Sequence, residues 1–258
     1  MPRPLAPLGP RRAAKAGMPF VDILLNAVHE RQVGRVFALE IGAGDGEGPN
    51  SLLSYYRDDR WSGLLIEPMP DAFARLDRLH AESDRVAVLN LGISDIGANA
   101  LIHFLAPAAA ERLGPAHRGR ASIMRDRIVT AGVDPGEIQS VEVPFLRLDL
   151  VLNELGISSV QVLKVNAGGH EAQVLASLDI SAFGLLLVLV ATNPGTPADS
   201  DCIDLLVRAG LVPYRVADWL VGLAPDQLSL PLDDLLALFG RRIGQVDTDP
   251  QQNEDPSS

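Results

Sequence analysis

The chain has 258 residues, 47% of them hydrophobic, enough apolar material for one large core or two small ones. Its net charge of −11 argues against general nucleic-acid binding, because a phosphate backbone needs a basic stripe to dock on. The single cysteine, Cys202, rules out a disulfide within the chain. The longest strongly apolar run, Leu185 to Ala191, falls far short of the roughly 20 residues that a membrane-spanning helix needs.

Residues 1–19 read as a disordered leader. The first seventeen of them hold four prolines and the basic residues Arg3, Arg11, Arg12 and Lys15, with no apolar stretch of the kind a secretory signal requires. With no signal and no membrane span, the expected place is the cytoplasm. Val21 to Val28 has apolar residues at helical spacing. Val36 to Ile41 is a short apolar run ending in glycines, the mark of a buried strand. Asn50 to Tyr56 starts a helix, with Asn50 or Ser51 as cap. Gly63 to Ile66 is a second strand, closed by Glu67-Pro68. An amphipathic helix spans Asp71 to His80, and a third strand Arg85 to Leu89. Strands alternating with helices imply parallel pairing through crossovers. Ala100 to Leu105 and Val141 to Leu146 are further strands, separated by the least regular stretch, 106–138. Asp149 to Leu155 is helical. Strands at Val160–Val165, Leu185–Ala191, Leu211–Val216 and Trp219–Leu223 alternate with helices at Glu171–Leu178, Asp201–Ala209 and Leu232–Phe239. The polar tail, 241–258, reads as disordered. The expectation is one α/β domain over 20–240, with about seven strands.

The most informative segment is Leu39-Glu40-Ile41-Gly42-Ala43-Gly44-Asp45-Gly46-Glu47-Gly48. Glycines at 42, 44 and 46 stand where a strand turns sharply toward a helix, and missing side chains let the backbone approach a ligand. In dinucleotide folds such a loop faces pyrophosphate. Here Glu40 precedes the turn and Asp45 lies within it. Anionic side chains repel phosphate but suit a ligand carrying an ammonium and a sulfonium, so the charge pattern favours S-adenosylmethionine over NAD. Alone, the loop is also what an ordinary glycine turn looks like. Glu67, some 20 residues on, ends the second strand where an acid binds ribose hydroxyls in related folds, and Pro68 follows it. Asn90 to Asp95 (NLGISD, with Asn90 and Ser94 as polar candidates) follows the third strand, where the adenine edge is expected.

Together these segments resemble the FkbM-type methyltransferases, a branch of the class I S-adenosylmethionine-dependent fold. EIGAGDGEGPNSLLSYYRDDRWSGLLIEPMPDAFARL is similar to the family's first motif, first helix and acidic second strand. VAVLNLGISD is similar to its third-strand segment, and VPFLRLDLVLNELGISSVQVLKVNAGGHEAQVL to its later block. The resemblance implies a Rossmann-like, seven-stranded, mostly parallel sheet with helices on both faces and an antiparallel last hairpin. It implies methyl transfer, usually to a hydroxyl of a sugar, lipid-linked or polyketide-type acceptor. It places Glu40, Gly42, Gly44 and Gly46 on the glycine-rich motif and Glu67 on the ribose-binding acid; with Ala43, Asp45, Pro68, Asn90 and Ser94 from the loops read above, these are the expected donor contacts.

The fourth-strand loop departs from the family pattern Lys-Ile-Asp-Val-Glu-Gly-x-Glu. It reads Lys164-Val165-Asn166-Ala167-Gly168-Gly169-His170-Glu171, so one acid has become Asn166 and another Gly168. The fifth strand ends Val190-Ala191-Thr192-Asn193, without an acid. Asn166 cannot act as a base, and losing two acids also removes hard-metal ligands, so no metal is expected. Lys164, His170 and Glu171 remain as catalytic candidates beside Asn166. Lys164 reads as a desolvated base or as a partner of Glu171 in an ion pair. His170 reads as a base near neutral pH or as a surface histidine. Glu171 reads as catalytic or as a cap on its own helix. His117 and Arg112, Arg118, Arg120, Arg125 and Arg127 make a basic cluster in an acidic chain. It reads as a solvated loop, or as a lid for an anionic acceptor. The expected partner is a small-molecule or glycan acceptor, with no nucleic acid. An altered loop also fits a pseudoenzyme that keeps the fold and acts as a binding or regulatory subunit.

Overall fold

The computed structural model describes residues 19–48, 51–114, 117, 119–129, 132–216, 219–224 and 241–242. The expected leader up to residue 18, the Asn50 cap, Arg118, the Leu232–Phe239 helix and the tail after residue 242 lie outside them. The chain runs α1 (Pro19–Arg31), β1 (Val36–Ile41), α2 (Leu53–Tyr56), β2 (Trp61–Ile66), α3 (Pro70–His80), β3 (Val86–Leu89), β4 (Gly92–Ile93), β5 (Ala98–Leu105), α4 (Pro107–Leu113), β6 (Ala121–Ser122), β7 (Ile138–Leu146) and α5 (Leu148–Glu154). It continues through β8 (Val162–Val165), α6 (Glu171–Ala176), β9 (Leu187–Ala191), α7 (Pro197–Arg208), β10 (Val212–Val216), β11 (Trp219–Leu223) and the two-residue β12 (Arg241–Arg242).

The main sheet has the order β12-β10-β11-β9-β8-β1-β2-β3. The pairings from β3 through β2, β1 and β8 to β9 are all parallel, and β11 runs antiparallel to both β9 and β10. Without the short β12 this is the seven-stranded, mostly parallel sheet with a reversed hairpin at one edge that the resemblance implies. The central strands are apolar along almost their whole length because both faces are covered. One face packs Val36, Ala38, Leu65 and Val162 against Leu24, Leu25 and Val28 of α1, Tyr56 of α2 and Leu76 of α3. The opposite face packs Leu39, Ile41, Leu64, Leu163 and Val165 against Leu148 and Leu152 of α5, Val174 and Leu175 of α6, and Cys202 and Leu206 of α7.

Helix α2 begins at Leu53, and its N-cap is Leu52 rather than Ser51, with no side-chain cap. Two further elements differ from the sequence expectation. Helix α7 begins at Pro197 rather than Asp201, because the Thr196 hydroxyl caps it by accepting from the Asp199 amide, with proline in the first turn. The extra strands do not join the main sheet. They form a second sheet in the order β4-β7-β5-β6, whose inner face buries Ile102, Val143 and Phe145 against Met69, Ala100, Ala121, Ile123 and Val141. The irregular 106–138 stretch is part of this unit, and packs Ala110 and Ile128 against Leu105. Among the described residues, no helix is long and apolar enough to cross a membrane.

Candidate functional site

The site lies beyond the C-terminal ends of β1, β2 and β8, where open α/β sheets bind their ligands. Parallel register sets Glu40 beside Lys164 on neighbouring strands. Lys164 Nζ donates to Glu40 Oε2 at 2.5 Å, and the two side chains are 5% and 3% exposed. The pair therefore meets its own charge internally, as a buried pair must. Lys164 is not paired with Glu171, and Glu40 is not a free carboxylate facing a ligand. The Tyr56 phenol is buried near this pair. Burial first, and the Glu40 charge second, push its pKa well above the ordinary phenol value.

The three loop glycines do different work. Gly42 (φ +73°) lies against the β8 loop so closely that an added Cβ would stand 2.0 Å from the Asn166 carbonyl oxygen. Asn166 N–H donates to the Ile41 carbonyl there, extending the β1–β8 pairing into the loop. At Gly46 an added Cβ would strike Leu76 and Leu79 of α3, at 2.7 and 2.8 Å. Only Gly44 (φ +65°) faces open space, with nothing within 4 Å of the place a Cβ would take. The Gly44 amide donates to Glu67 Oε2 at 2.7 Å. The other oxygen of Glu67 accepts from the Met69 amide at 2.9 Å, and the residue is buried. Burial raises the Glu67 pKa, opposed by the Met69 and Gly44 amides. A carboxylate offers about four acceptor positions, so Glu67 keeps two for other donors. Asn90 donates through Nδ2 to the carbonyls of Glu67 (2.9 Å) and Pro68 (3.1 Å), fixing the backbone that carries the acid. Asp45 turns outward toward Arg75, at 3.6 Å.

In the β8 loop, Asn166 is exposed. Glu171 is buried, and its Oε1 accepts from the amides of Ala167 and Gly169, both at 3.0 Å. It thus folds the loop that precedes it rather than capping the first turn of α6. His170 lies with Ser94, from the end of β4, across 3.0 Å from Nε2 to Oγ, and edge-on to Phe145. Ser94 Oγ donates onward to Asp95 Oδ1 at 3.1 Å. Since a carboxylate only accepts, this chain assigns the Nε2 proton to His170 and leaves Nδ1 unprotonated. Burial lowers the His170 pKa, opposed by the charge of Asp95. Sequence reasoning placed Ser94 with the donor and His170 with catalysis, and the fold brings them into contact.

The 106–138 segment docks on this loop, and no local signal in the sequence announces it. Ser122 Oγ donates to the Gly168 carbonyl at 2.7 Å. A Cβ on Gly168 would lie 2.3 Å from the Ala121 carbonyl oxygen, and one on Gly169 would lie 2.4 Å from Nε of Arg127. Where an acid stood in the expected pattern, this chain has a glycine pressed against β6. At the end of β9, Thr192 and Arg215 close on Asp199, an acid supplied by α7. Among the described residues, no group of His, Cys, Asp and Glu is arranged to hold a metal ion.

The model of the methyltransferase FkbM domain matches residues 40–210, well over half the chain. The chain belongs to the FkbM methyltransferase family. The match begins at Glu40 and takes in the glycine loop, Glu67, the second sheet and the β8 loop. Solved structures similar to the chain include the methyltransferase FkbM from Methylobacillus flagellatus KT, at 12% identity and a TM-score of 0.48, over 73% of this chain and 43% of that one. Precorrin-6y C5,15-methyltransferase from Geobacter metallireducens GS-15 aligns at 8% identity and a TM-score of 0.42, over 82% and 92%. Aeropyrum pernix fibrillarin, solved with natively bound S-adenosyl-L-methionine, aligns at 11% identity and a TM-score of 0.39, over 77% and 76%. The chain spans less than half the length of the first of these. No curated protein sequence matches it.

Proposed function

We propose that this family member is an S-adenosylmethionine-dependent methyltransferase acting on a hydroxyl of a small-molecule or glycan acceptor. The observation that carries the donor half is Glu67, a buried carboxylate hydrogen-bonded to the amide of Gly44, whose Cβ position opens onto free space. The residues present fit the donor. Glu67 has acceptor positions left for ribose hydroxyls, Gly44 leaves the backbone bare, and Asn90 holds the backbone that carries Glu67. The donor would supply an already activated methyl group on sulfur.

The protein's own contribution is then mainly alignment of the acceptor oxygen. Lys164 is held by Glu40, Glu171 by loop amides, and Asn166 does not titrate. That leaves His170 Nδ1 to take the hydroxyl proton as the new oxygen–carbon bond forms. Lys164 and Glu171 serve as positioning residues, the first by tying β1 to β8 and the second by shaping the loop. The same depletion of free acids supports a second reading, a pseudo-methyltransferase that binds the donor and acts as a partner subunit.

Titration calorimetry with S-adenosylhomocysteine and with NAD tests the donor. Tight binding of the first and none of the second is expected, and the reverse would overturn the proposal. Donor binding without turnover across a broad panel of alcohols and sugars would select the pseudoenzyme.

A further inference from the structure

Arginines of the 106–138 segment are engaged one after another. Arg112 holds Glu137 at 2.9 and 2.7 Å together with the Gly132 carbonyl, Arg125 donates to the Pro135 carbonyl at 3.0 Å, and Arg120 donates to the Arg127 carbonyl at 2.7 Å. Arg127 is different. Among the described residues, it is the one partly buried arginine whose guanidinium has neither a hydrogen bond nor an ion pair. It is not loose. Its Cδ, Nε and Cζ lie 2.7, 2.4 and 2.6 Å from where a Cβ on Gly169 would stand, so the side chain is packed on the backbone one residue before His170. The adjacent Asp126 is exposed and makes no ion pair with it, and the oxygen Glu171 turns to the loop is taken by amides.

Withdrawing a cation from water without a counter-ion is costly. In a chain of net charge −11 an arginine could find a carboxylate cheaply on the surface. This one is instead positioned by a glycine that admits no side chain. A planar guanidinium pairs in a two-pronged fashion with carboxylate or phosphate. Resting on the methyltransferase reading above, we infer that Arg127 is the docking point for an oxyanion, a carboxylate or a phosphate, on the acceptor. The methylated hydroxyl would belong to the same molecule, presented to His170.

The test uses the full chain saturated with S-adenosylhomocysteine and titrated, at fixed ionic strength, with inorganic phosphate and with acetate. Wild type is expected to bind at least one of them in the millimolar range. Arg127→Gln should weaken that binding at least tenfold. Arg125→Gln should leave it unchanged, and both variants should hold S-adenosylhomocysteine within twofold of wild type. Arg127→Lys keeps a cation and the aliphatic stem on Gly169. It should retain phosphate binding better than acetate binding, and it serves as the measurement if the glutamine variant does not fold. Anion binding that is absent from wild type, or equal in wild type and Arg127→Gln, overturns the inference. So does an Arg127→Gln protein that loses S-adenosylhomocysteine but keeps 5′-methylthioadenosine, which lacks the amino-acid carboxylate, since the anion would then be the donor's own. If wild type binds no S-adenosylhomocysteine, the methyltransferase reading fails separately, and phosphate titration of the free protein still tests Arg127.

Discussion

The glycine loop after β1 and the loop after β8 both turn through left-handed glycines at the same end of the sheet, yet Gly44 of the first and the Gly168–Gly169 pair of the second serve opposite purposes. At Gly44 the missing side chain leaves space beside a buried acid. At Gly168 and Gly169 the space is filled by the protein itself, with Ala121 against the first and Arg127 against the second. Gly44 keeps its place in the first loop open, where the proposed donor would lie, and the second loop is kept small so that a second sheet can close over it. The exchange of an acid for Gly168 is therefore a packing change as much as a loss of charge. Adding a side chain should consequently do different damage in the two places.

Both loops rest on the Glu40–Lys164 pair that joins β1 to β8, and breaking it should have the largest effect. Lys164→Met strands a buried carboxylate and is expected to cost about 3–5 kcal/mol. The double change with Glu40→Leu should recover most of that in a denaturation cycle, and a double variant no better than the single would show that the pair is not the cause. Next comes Gly168→Glu. A left-handed backbone costs an ordinary residue about 1–2 kcal/mol, and forcing a side chain against β6 adds a further 1–3. A drop of roughly 5–15 °C in Tm is expected, whereas exposed Asn166→Asp should stay within about 0.5 kcal/mol. A Gly168→Glu protein as stable as wild type would mean that β6 does not dock there.

Gly44→Ala should behave in the contrary way. Its Cβ meets no protein atom, so only the backbone cost of about 1–2 kcal/mol applies. S-adenosylhomocysteine affinity should nevertheless fall tenfold or more by calorimetry, and unchanged affinity would remove the loop from the donor site. The subtlest effect concerns pH. Burial lowers the His170 pKa below its ordinary 6.5, so the neutral ring persists into mildly acidic solution. The acidic limb of the rate profile should lie below pH 6.5 and disappear in His170→Gln. The linked stability has a matching sign. Between the lowered folded value and 6.5 the unfolded chain binds more protons, so the His170 contribution is complete above 6.5 and is lost as pH falls through that window. A limb that persists in His170→Gln would assign the proton to another group.

The sequence by itself determined the strand–helix alternation, the glycine loop with its acid at the end of β2, and the family pattern that the match over 40–210 bears out. These are local signals. An apolar run with a turn after it, a proline behind an acid and a helical stripe can each be read within about ten residues. Only the tertiary structure decided which charges remain available. Lys164 meets Glu40 across 124 positions, His170 meets Ser94 across 76, and Ser122 meets Gly168 across 46. No spacing rule reaches that far, because such contacts follow from strand order and from how the second sheet is laid on the first. Sequence could name the ionisable groups near the site, but their freedom to act depends on what the fold places beside each one.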